Sequence, residues 1–328
     1  MRYVLGVDGG GTKTHALLVD ESGRAAGFGA AGGSNYQTCG LAEAGREIGA
    51  AARAALGPVD QADLAYLCLA GADLAEDYAI LEPAMLALGL ARRVVVKNDT
   101  MAALGAGLTR SWGIAVVCGT GLNAVGLGPD GREVAFPSLG PISGDWGGGG
   151  DLSAEVIRAV MRAWDGRGQP TALRDRVLSR LGAHSEEDLL ARLRHKRIEE
   201  PTILGLVPLL FEAADEGDAV ARQLVTRMGV EIAASANALI RRLGVAAEEV
   251  EVVLSGSIFK GKGPLLIETV TAAIRAQAPT ARISRVRYEP VVGAALLGLE
   301  ALGVTLTAEV IARLNETITP LGLHLAPP

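Results

Sequence analysis

The sequence predicts an α/β protein built from two related halves, and three observations support this fold class. The chain has 328 residues, of which 49% are hydrophobic, so it can bury the cores of two domains. Apolar runs of strand length alternate with segments of helical periodicity. The pattern that opens the chain also returns after residue 113. Two unrelated hairpins could look alike by chance, but we interpret the return as an internal duplication.

The first half predicts a strand-rich domain with helices on a sheet. Strands are expected where apolar runs are bounded by glycine or polar turns, at residues 3–8, 14–20, 24–30, 64–70 and 93–97. Helices are expected where apolar residues recur at helical spacing, at residues 41–56, 75–88 and 100–108. Gly57-Pro58 stops the first helix. We expect a short hinge near residues 109–113, and therefore domains at 1–110 and 111–328.

The second half repeats the opening pattern and then becomes mainly helical. Strands at 114–118, 122–128 and 132–136 are joined by glycine turns, and the third opens with arginine, as it does in the first half. The remaining expected elements are helices at 153–164, 172–181, 186–194, 202–216 and 218–243, a strand at 249–254, a helix at 264–276, a strand at 282–287, and helices at 291–302 and 308–315. The small residues of helix 291–302 suit close packing, and the last helix is a candidate to pack back on the first domain.

Charge and cysteine content exclude several classes of function. A net charge of −6 without basic runs argues against nucleic acid as a partner. The chain shows no signal peptide and no apolar stretch of about 20 residues, so we expect a cytoplasmic protein with no membrane partner. Cys39, Cys68 and Cys118 lie far apart without a CxxC pattern, which predicts neither a disulfide framework nor a zinc site.

The segment Asp8–Thr14, with the sequence DGGGTKT, is the strongest local signal in the chain. Glycines let backbone amides approach phosphate oxygens closely, and Asp8 can hold Mg²⁺ directly or through water. The segment is neither a P-loop nor a Rossmann fingerprint, because GxxxxGK[ST] is absent and a strand follows. A plain glycine hairpin is the alternative. The expected phosphate-binding residues are Gly10, Gly11, Thr12 and Lys13.

Two later glycine turns offer further contacts to a nucleotide. Gly119-Thr120-Gly121 takes the place of the first turn in the second half, so by symmetry it would be the other side of a phosphate clamp. Gly256 and Ser257 follow a predicted strand, and a glycine there would let a flat purine lie against the backbone. Each turn taken alone is also consistent with an ordinary loop.

Several other side chains are candidates for binding or catalysis, each with a structural alternative. Asp99 ends a strand, where α/β sheets bind ligands, but it could instead cap the next helix. Asp145 and Trp146 lie in a glycine-rich loop that we expect to be flexible, where the indole could cover a sugar ring or pack onto the core. Asp151 is the expected N-cap of the helix after this loop. Asn35 lies in a polar loop of the kind that binds hydroxyl groups.

These motifs, in this order, resemble the sugar kinase/actin/heat-shock-70 superfold, and within it the BadF/BadG/BcrA/BcrD-type ATPase family. The best-known members of that family are N-acetylglucosamine kinases. The resemblance covers nearly the whole chain, and it implies two duplicated actin-like (ribonuclease H-like) domains with a nucleotide cleft between them. The motifs are DGGGTKT at 8–14, ND at 98–99, CGTGLN at 118–123, GDWGGGGD at 144–151, LSGS at 254–257 and PVVGAALLG at 290–298.

The resemblance also implies roles for individual residues. Asp8 would serve Mg²⁺, Asp99 would be the catalytic base, and the three glycine turns would bind ATP. The residues facing the sugar would be Asn35, Asn123 and Asp145, together with Asp99. We expect Trp146 to shape the same sugar pocket. Two departures concern the acetamido group of the sugar: this chain has Ser138-Leu139-Gly140 where relatives tend to have GWG, and Trp146 where they have Glu.

The resemblance implies an ATP-dependent kinase that phosphorylates a hydroxyl of an amino sugar such as N-acetylglucosamine or glucosamine. The alternative within the family is an ATPase that activates or regulates a partner protein. Such activators use paired cysteines to hold an iron–sulfur cluster, and no such pair is present here. The expected cofactors are ATP and Mg²⁺, the expected partner is a small-molecule sugar, and we expect a homodimer.

Overall fold

The computed structural model describes residues 1–260 and 263–325 and has an α/β fold. The strands of its first sheet are β1 (Tyr3–Gly9), β2 (Lys13–Asp20), β3 (Ala25–Gly32), β4 (Ala62–Leu69) and β5 (Ala91–Asn98). They are arranged in the order β3-β2-β1-β4-β5. The β1–β2 and β2–β3 pairs are antiparallel, whereas β1–β4 and β4–β5 are parallel. The carboxyl ends of β1, β4 and β5 therefore lie at one edge of the sheet.

The second sheet repeats the strand order of the first. Its strands are β6 (Gly113–Cys118), β7 (Leu122–Leu127), β8 (Glu133–Ala135), β9 (Glu251–Ser255) and β10 (Arg282–Arg285). The observed order is β10-β9-β6-β7-β8. Read from the opposite side, β8-β7-β6-β9-β10 matches the first sheet position by position. The predicted duplication of an α/β unit is confirmed by this topology.

The helices follow the sequence predictions closely, with a few differences at their limits. They are α1 (Tyr36–Cys39), α2 (Leu41–Leu56), α3 (Ala75–Leu86), α4 (Thr100–Gly107), α5 (Gly149–Trp164), α6 (Leu173–Arg180), α7 (Glu186–Arg194), α8 (Glu200–Leu204), α9 (Val207–Asp215), α10 (Ala219–Leu243), α11 (Pro264–Arg275), α12 (Pro290–Ala301) and α13 (Ala308–Ile318). The short helix α1 was not predicted. None of the helices in the described ranges is long and apolar enough to cross a membrane.

Two helix predictions are wrong for identifiable reasons. The expected helix at 202–216 is divided into α8 and α9. Pro208 is the second residue of α9, and its ring and missing N–H oppose a continuous helix through this point. Helix α5 begins at Gly149 with Gly148 as its N-cap, so Asp151 is not the N-cap. The Asp151 carboxylate instead accepts from the Gly147 N–H at 3.1 Å.

The chain divides into two compact units. The first comprises Met1–Ala115, Val125–Pro137 and the chain from Ser284, and the second comprises Val116–Ala124 and Ser138–Ile283. The first unit includes the sheet β1 to β5 and the C-terminal helices α12 and α13. The domain limits expected from the sequence stay a prediction.

Strand β1 is buried on both faces of its sheet. Leu5 and Val7 belong to the apolar cluster that includes Ile48 of α2, whereas Val4 belongs to the cluster that includes Ala295 of α12. This alternation is the two-residue period of a strand. Its consequence is that the carboxyl end of β1 is held firmly between two helical layers.

Small residues allow α4 and α12 to pack closely, as the sequence predicted for α12. A Cβ on Gly293 of α12 would lie 2.0 Å from the Ala102 carbonyl oxygen of α4. A Cβ on Gly105 of α4 would lie 2.5 Å from the Gly293 carbonyl oxygen. Real Cβ atoms do not approach so closely, so glycine is required at both positions. The contact holds α4, whose first residue follows Asp99.

Candidate active site

Candidate catalytic side chains lie at the carboxyl edge of the first sheet. Asp8 is opposite Cys68 in the β1–β4 register, and Leu69 is opposite Asn98 in the β4–β5 register. Asp8 and Asp99 therefore lie at the same edge of one parallel segment. In α/β proteins this edge is where ligands bind.

Burial and neighbouring carboxylates raise the pKa values of both Asp8 and Asp99. Burial, and after it the charge of Asp99, raises the pKa of Asp8 to about 7, although Lys13 opposes this. Burial, and after it the charge of Asp73, raises the pKa of Asp99 to about 6. Oxygen ligands are those that Mg²⁺ prefers, and a divalent cation would relieve the repulsion between the two carboxylates. This edge offers carboxylate oxygens of the kind that Mg²⁺ binds, but the described residues include no cluster of three or more metal-ligating side chains.

The hairpin between β1 and β2 presents two exposed backbone amides at its tip. The Gly10 N–H donates to the Lys13 carbonyl oxygen at 2.9 Å. This amide, which we expected to bind phosphate, is therefore engaged inside the hairpin. Gly11 and Thr12 are exposed, and among the described residues neither amide donates to another group. A Cβ on Gly11 would meet no atom within 4 Å, so the space above the tip is open to a phosphate oxygen.

Lys13, the first residue of β2, forms an ion pair next to the tip of the same hairpin. Its Nζ lies 3.6 Å from Glu289 Oε2, and Glu289 is the N-cap residue of α12. The Lys13 side chain is about half exposed, at 53%. An exposed ion pair of this kind contributes little stability, so the ammonium can turn towards a phosphate at small cost.

The helix-capping alternative for Asp99 does not agree with the structure. Asp99 occupies the N-cap position of α4, but its side chain makes no capping hydrogen bond. Asn98 performs that task, because its Oδ1 accepts from the Thr100 N–H at 3.0 Å and from the Thr100 hydroxyl at 2.5 Å. The start of α4 therefore does not need the Asp99 carboxylate.

Three loops at this edge are joined by side-chain hydrogen bonds. Asn35, a predicted sugar ligand, caps α1 by accepting from the Gln37 N–H at 3.0 Å. The Gln37 side-chain amide donates to the Gly71 carbonyl oxygen at 2.9 Å. Asn98 Nδ2 donates to Asp73 Oδ1 at 2.8 Å. The sequence analysis missed Asp73, although a carboxylate soon after the apolar run at 64–70 was a signal that could have found it.

The start of α5 supports the second glycine turn in the second unit. The Gly149 N–H donates to the Gly119 carbonyl oxygen at 2.8 Å, and the Gly150 N–H donates to the Thr120 carbonyl oxygen at 3.0 Å. A Cβ on Gly148 would lie only 2.4 Å from the Thr120 carbonyl oxygen. The glycines at the start of α5 therefore allow a close approach that supports the turn. The flexibility expected for the loop of Asp145 and Trp146 stays a prediction.

A cavity of about 660 Å³ opens beside this turn, within the second unit. The predicted nucleotide residues Gly119, Thr120 and Ser257 line it. Gly256 precedes Ser257 with φ +107°, and a Cβ there would lie 2.1 Å from the Cys118 carbonyl oxygen, so only glycine fits. The sequence analysis did not predict the apolar wall of this cavity, which brings together residues of α8, α9 and the turn after β9. This wall consists of Leu204, Val207, Pro208, Phe211 and Ile258.

The predicted sugar ligands of the second unit, in the loop before α5 and in β7, already contact other groups of that unit. Asp145 Oδ2 accepts from the Ser143 hydroxyl at 2.5 Å. The Arg227 guanidinium lies over the Trp146 ring, with Cζ 3.8 Å from the ring centroid. One face of the indole is thus covered by a cation–π contact, and only the opposite face could cover a sugar ring. Asn123 Oδ1 accepts from the Ala124 N–H at 2.7 Å.

Comparison with known proteins agrees with this fold and these motifs. A protein of Clostridium acetobutylicum named N-acetylmuramic acid/N-acetylglucosamine kinase is 29% identical over 262 residues, which are 79% of this chain and 86% of the relative. An N-acetyl-D-glucosamine kinase of Dictyostelium discoideum is 28% identical over 312 residues, which are 90% of this chain and 98% of the relative.

Solved structures show the same architecture. A protein of Chromobacterium violaceum, provisionally named an N-acetylglucosamine kinase, superposes with a TM-score of 0.70 at 25% identity, over 91% of this chain and 99% of its own. A ROK-family glucokinase of Streptomyces griseus has a TM-score of 0.56 at 17% identity, over 91% of this chain and 99% of its own, which shows the fold alone. The sequence profile of the BadF/BadG/BcrA/BcrD ATPase family matches residues 5–298. This chain therefore belongs to the BadF/BadG/BcrA/BcrD ATPase family.

Proposed function

We propose that this chain is an ATP-dependent kinase that phosphorylates a hydroxyl group of an amino sugar such as N-acetylglucosamine or glucosamine. The observation that carries the proposal is the pair Asp8 and Asp99 at one sheet edge, where Asn98 caps α4 in place of Asp99. The names of the two curated relatives support a sugar acceptor. Membership of an ATPase family supports ATP as the donor.

The reaction assigns a task to each group at the sheet edge. The sugar hydroxyl oxygen forms a bond to the γ-phosphorus, the bond from that phosphorus to the bridging oxygen breaks, and ADP leaves. Asp99 takes the hydroxyl proton, and a pKa of about 6 keeps it ionised and able to accept that proton at neutral pH. The amides of Gly11 and Thr12, with Lys13, bind phosphate oxygens.

Asp8 would hold Mg²⁺, which when bound neutralises charge on the phosphates. The position of Asp8 at the carboxyl end of β1, directly before the hairpin of the proposed phosphate site, supports this assignment, as does the neighbouring charge of Asp99. In the second unit, the cavity beside Thr120 and Ser257 is our proposed site for the nucleoside part of ATP, with Gly121 and Gly256 shaping its turns. Its volume lies within the range of about 300–1,000 Å³ that is usual for small-molecule sites.

The remaining proposed sugar ligands are Asn35 in the first unit and Asn123 and Asp145 in the second, where Trp146 follows Asp145. Carboxylate and amide groups suit the paired hydroxyls of a sugar ring. We also propose that the protein is a cytoplasmic homodimer, as the sequence led us to expect. Size-exclusion chromatography with light scattering tests the oligomeric state.

The test is ADP release in the presence of ATP, Mg²⁺ and one sugar at a time. The panel comprises glucosamine, N-acetylglucosamine, N-acetylmannosamine, N-acetylmuramic acid and glucose. Mass spectrometry of the products shows whether the sugar has gained a phosphoryl group. We expect sugar-dependent ADP release with at least one amino sugar, and sugar-independent release alone would contradict the proposal.

The second candidate, an ATPase that activates a partner protein, is favoured by the family name alone. Cys68 and Cys118 are buried and Cys39 is exposed, so these thiols do not form the exposed pair that a shared iron–sulfur cluster needs. We therefore expect the purified protein to be colourless and free of stoichiometric iron. A brown protein with bound iron would favour the activator.

A further inference from the structure

Asp73 takes no part in the proposed chemical step, yet it lies at the centre of the sheet edge. It follows β4, which lies between β1 and β5 in the sheet. Its carboxylate therefore comes from the loop between the strand ends that lead to Asp8 and Asp99. From this position the Asp73 side chain contacts Asn98, the neighbour of Asp99.

The backbone of Asp73 is fixed by Asp77. The Asp77 carboxylate, which is only 4% exposed, accepts from the Asp73 N–H at 2.9 Å and from the Leu74 N–H at 2.6 Å. The hydroxyl of Tyr36 donates to the other oxygen of the same carboxylate. Charge-assisted hydrogen bonds of this kind are stronger than neutral ones. The Asp73 carboxylate is thus attached to an ordered loop.

Asp73 determines which way the Asn98 amide points. Asn98 is 5% exposed, and its Nδ2 donates to Asp73 Oδ1 at 2.8 Å and to the Ala72 carbonyl oxygen at 3.3 Å. Because a carboxylate accepts hydrogen bonds and cannot donate them, the NH₂ group must face Asp73. The Oδ1 atom then faces Thr100, where it accepts from both the N–H and the hydroxyl. The opposite amide orientation would bring two donors together at Thr100.

We infer that Asp73 is a positioning residue for phosphoryl transfer, because it fixes the Asn98 amide that caps α4 and so holds Asp99 in place. Asp99 lies between Asn98 and Thr100, and both neighbours are held by this arrangement. The inference rests on the proposed function, in which Asp99 is the base. Misplacement of a reacting group by about 1 Å can cost on the order of 100-fold in rate.

The central experiment exchanges the two partners. Asn98→Asp sets two carboxylates against each other, so we expect kcat to fall by roughly 10- to 100-fold. Adding Asp73→Asn to that variant restores a donor facing an acceptor, and kcat should recover to within about threefold of the wild type. The KM for ATP should stay within about twofold throughout. Glu76→Gln, an exposed acid at the start of α3, is the matched control and should behave as the wild type.

Single substitutions separate the hydrogen bond from the charge. Asp73→Asn alone keeps an oxygen that accepts from Asn98, so its kcat should stay within about threefold of the wild type. Asp73→Ala loses the acceptor and should be slowed about as much as Asn98→Asp. The inference is overturned if kcat of the double variant, Asp73→Asn with Asn98→Asp, stays as low as that of Asn98→Asp. It is also overturned if kcat of Asp73→Asn alone is as low as that of Asp73→Ala.

Failure of the proposed function looks different, because the wild type itself would then show no sugar-dependent ADP release. In that case the hydrogen bond between Asp73 and Asn98 is tested by thermal unfolding instead of kcat. Asn98→Asp should lower the unfolding midpoint, and the double variant with Asp73→Asn should return it to the wild-type value. No recovery of the midpoint would overturn the Asp73–Asn98 arrangement independently of the reaction.

Discussion

Substitution of Asp99 by Asn removes a proton acceptor and a negative charge that helps to raise the pKa of Asp8, and it nearly preserves the shape of the side chain. The two side chains have nearly the same shape, and Asn retains one oxygen that accepts hydrogen bonds. The start of α4 is capped by Asn98, so the substitution leaves that cap intact. The effect of Asp99→Asn on the reaction can therefore be separated from any effect on the fold.

The expected magnitude follows from the role of a general base. Such assistance is typically worth about 10²–10⁴ in rate, or roughly 2.7–5.4 kcal/mol of activation free energy. Burial and the charge of Asp73 raise the pKa of Asp99 to about 6, so near pH 8 almost all of the wild type carries the ionised base. We expect kcat for Asp99→Asn to fall by about 10²–10⁴ at that pH, with ATP affinity within a few-fold.

The pH dependence has a defined direction. Because the base must be ionised, wild-type kcat should decline as the pH falls through about 6. In Asp99→Asn the part of this decline that belongs to Asp99 should be absent, and only the part caused by protonation of Asp8, whose pKa is raised mainly by burial, should remain. The pKa is raised above the ordinary 3.8, so the stability that this group contributes is lost as the pH rises from 3.8 towards 6. Above that range the neutral Asn should leave the unfolding midpoint unchanged or slightly higher.

The assay is steady-state ADP release with the preferred sugar, at several pH values, for both proteins. Asp60→Asn is the matched control, because Asp60 is exposed and carries the same change of side chain. Circular dichroism and thermal unfolding check that both variants are folded. A kcat for Asp99→Asn within threefold of the wild type would refute the assignment of Asp99 as the base.

Three further predictions concern the metal, the nucleotide turn and the sugar loop. Calorimetry should show ATP binding weakened by EDTA and by Asp8→Ala, and equal affinity in all three conditions would exclude the metal site. Gly148→Ala should weaken ATP binding and lower the unfolding midpoint, because its Cβ would lie 2.4 Å from the Thr120 carbonyl oxygen. Gly150→Ala is the control and should do neither, because its Cβ would lie 3.6 Å from the same oxygen. Asp145→Ala and Trp146→Ala should raise the KM for the sugar but not for ATP; if only the unfolding midpoint falls, the loop has a packing role.

The elements of regular structure were largely predictable, because their signals are local. The helices expected at 41–56 and 186–194 match α2 and α7 at both ends. The duplication was visible as a repeated order of strands and glycine turns, and the sheet topology confirms it. The break between α8 and α9 was missed, because the apolar spacing continues across Pro208 and outweighed the proline in our reading.

The candidate site was only partly predictable from sequence. Asp8 and Asp99 stood out because each ends an apolar strand run. The sequence could not show whether Asp99 or its neighbour Asn98 caps α4, because both residue types cap helices well. It also could not show that the Gly10 amide is engaged inside its own hairpin.

The sequence by itself determined the order of strands and helices, the duplicated halves and the motifs of the family, since these depend on periodicity and on neighbouring residues. Tertiary structure alone decided which polar groups from different elements contact one another. Asp73 and Asn98 are 25 positions apart and meet only because β4 and β5 are parallel neighbours. The raised pKa values of Asp8 and Asp99 have the same origin, because burial and the distance between charges exist only once the strands have assembled into a sheet.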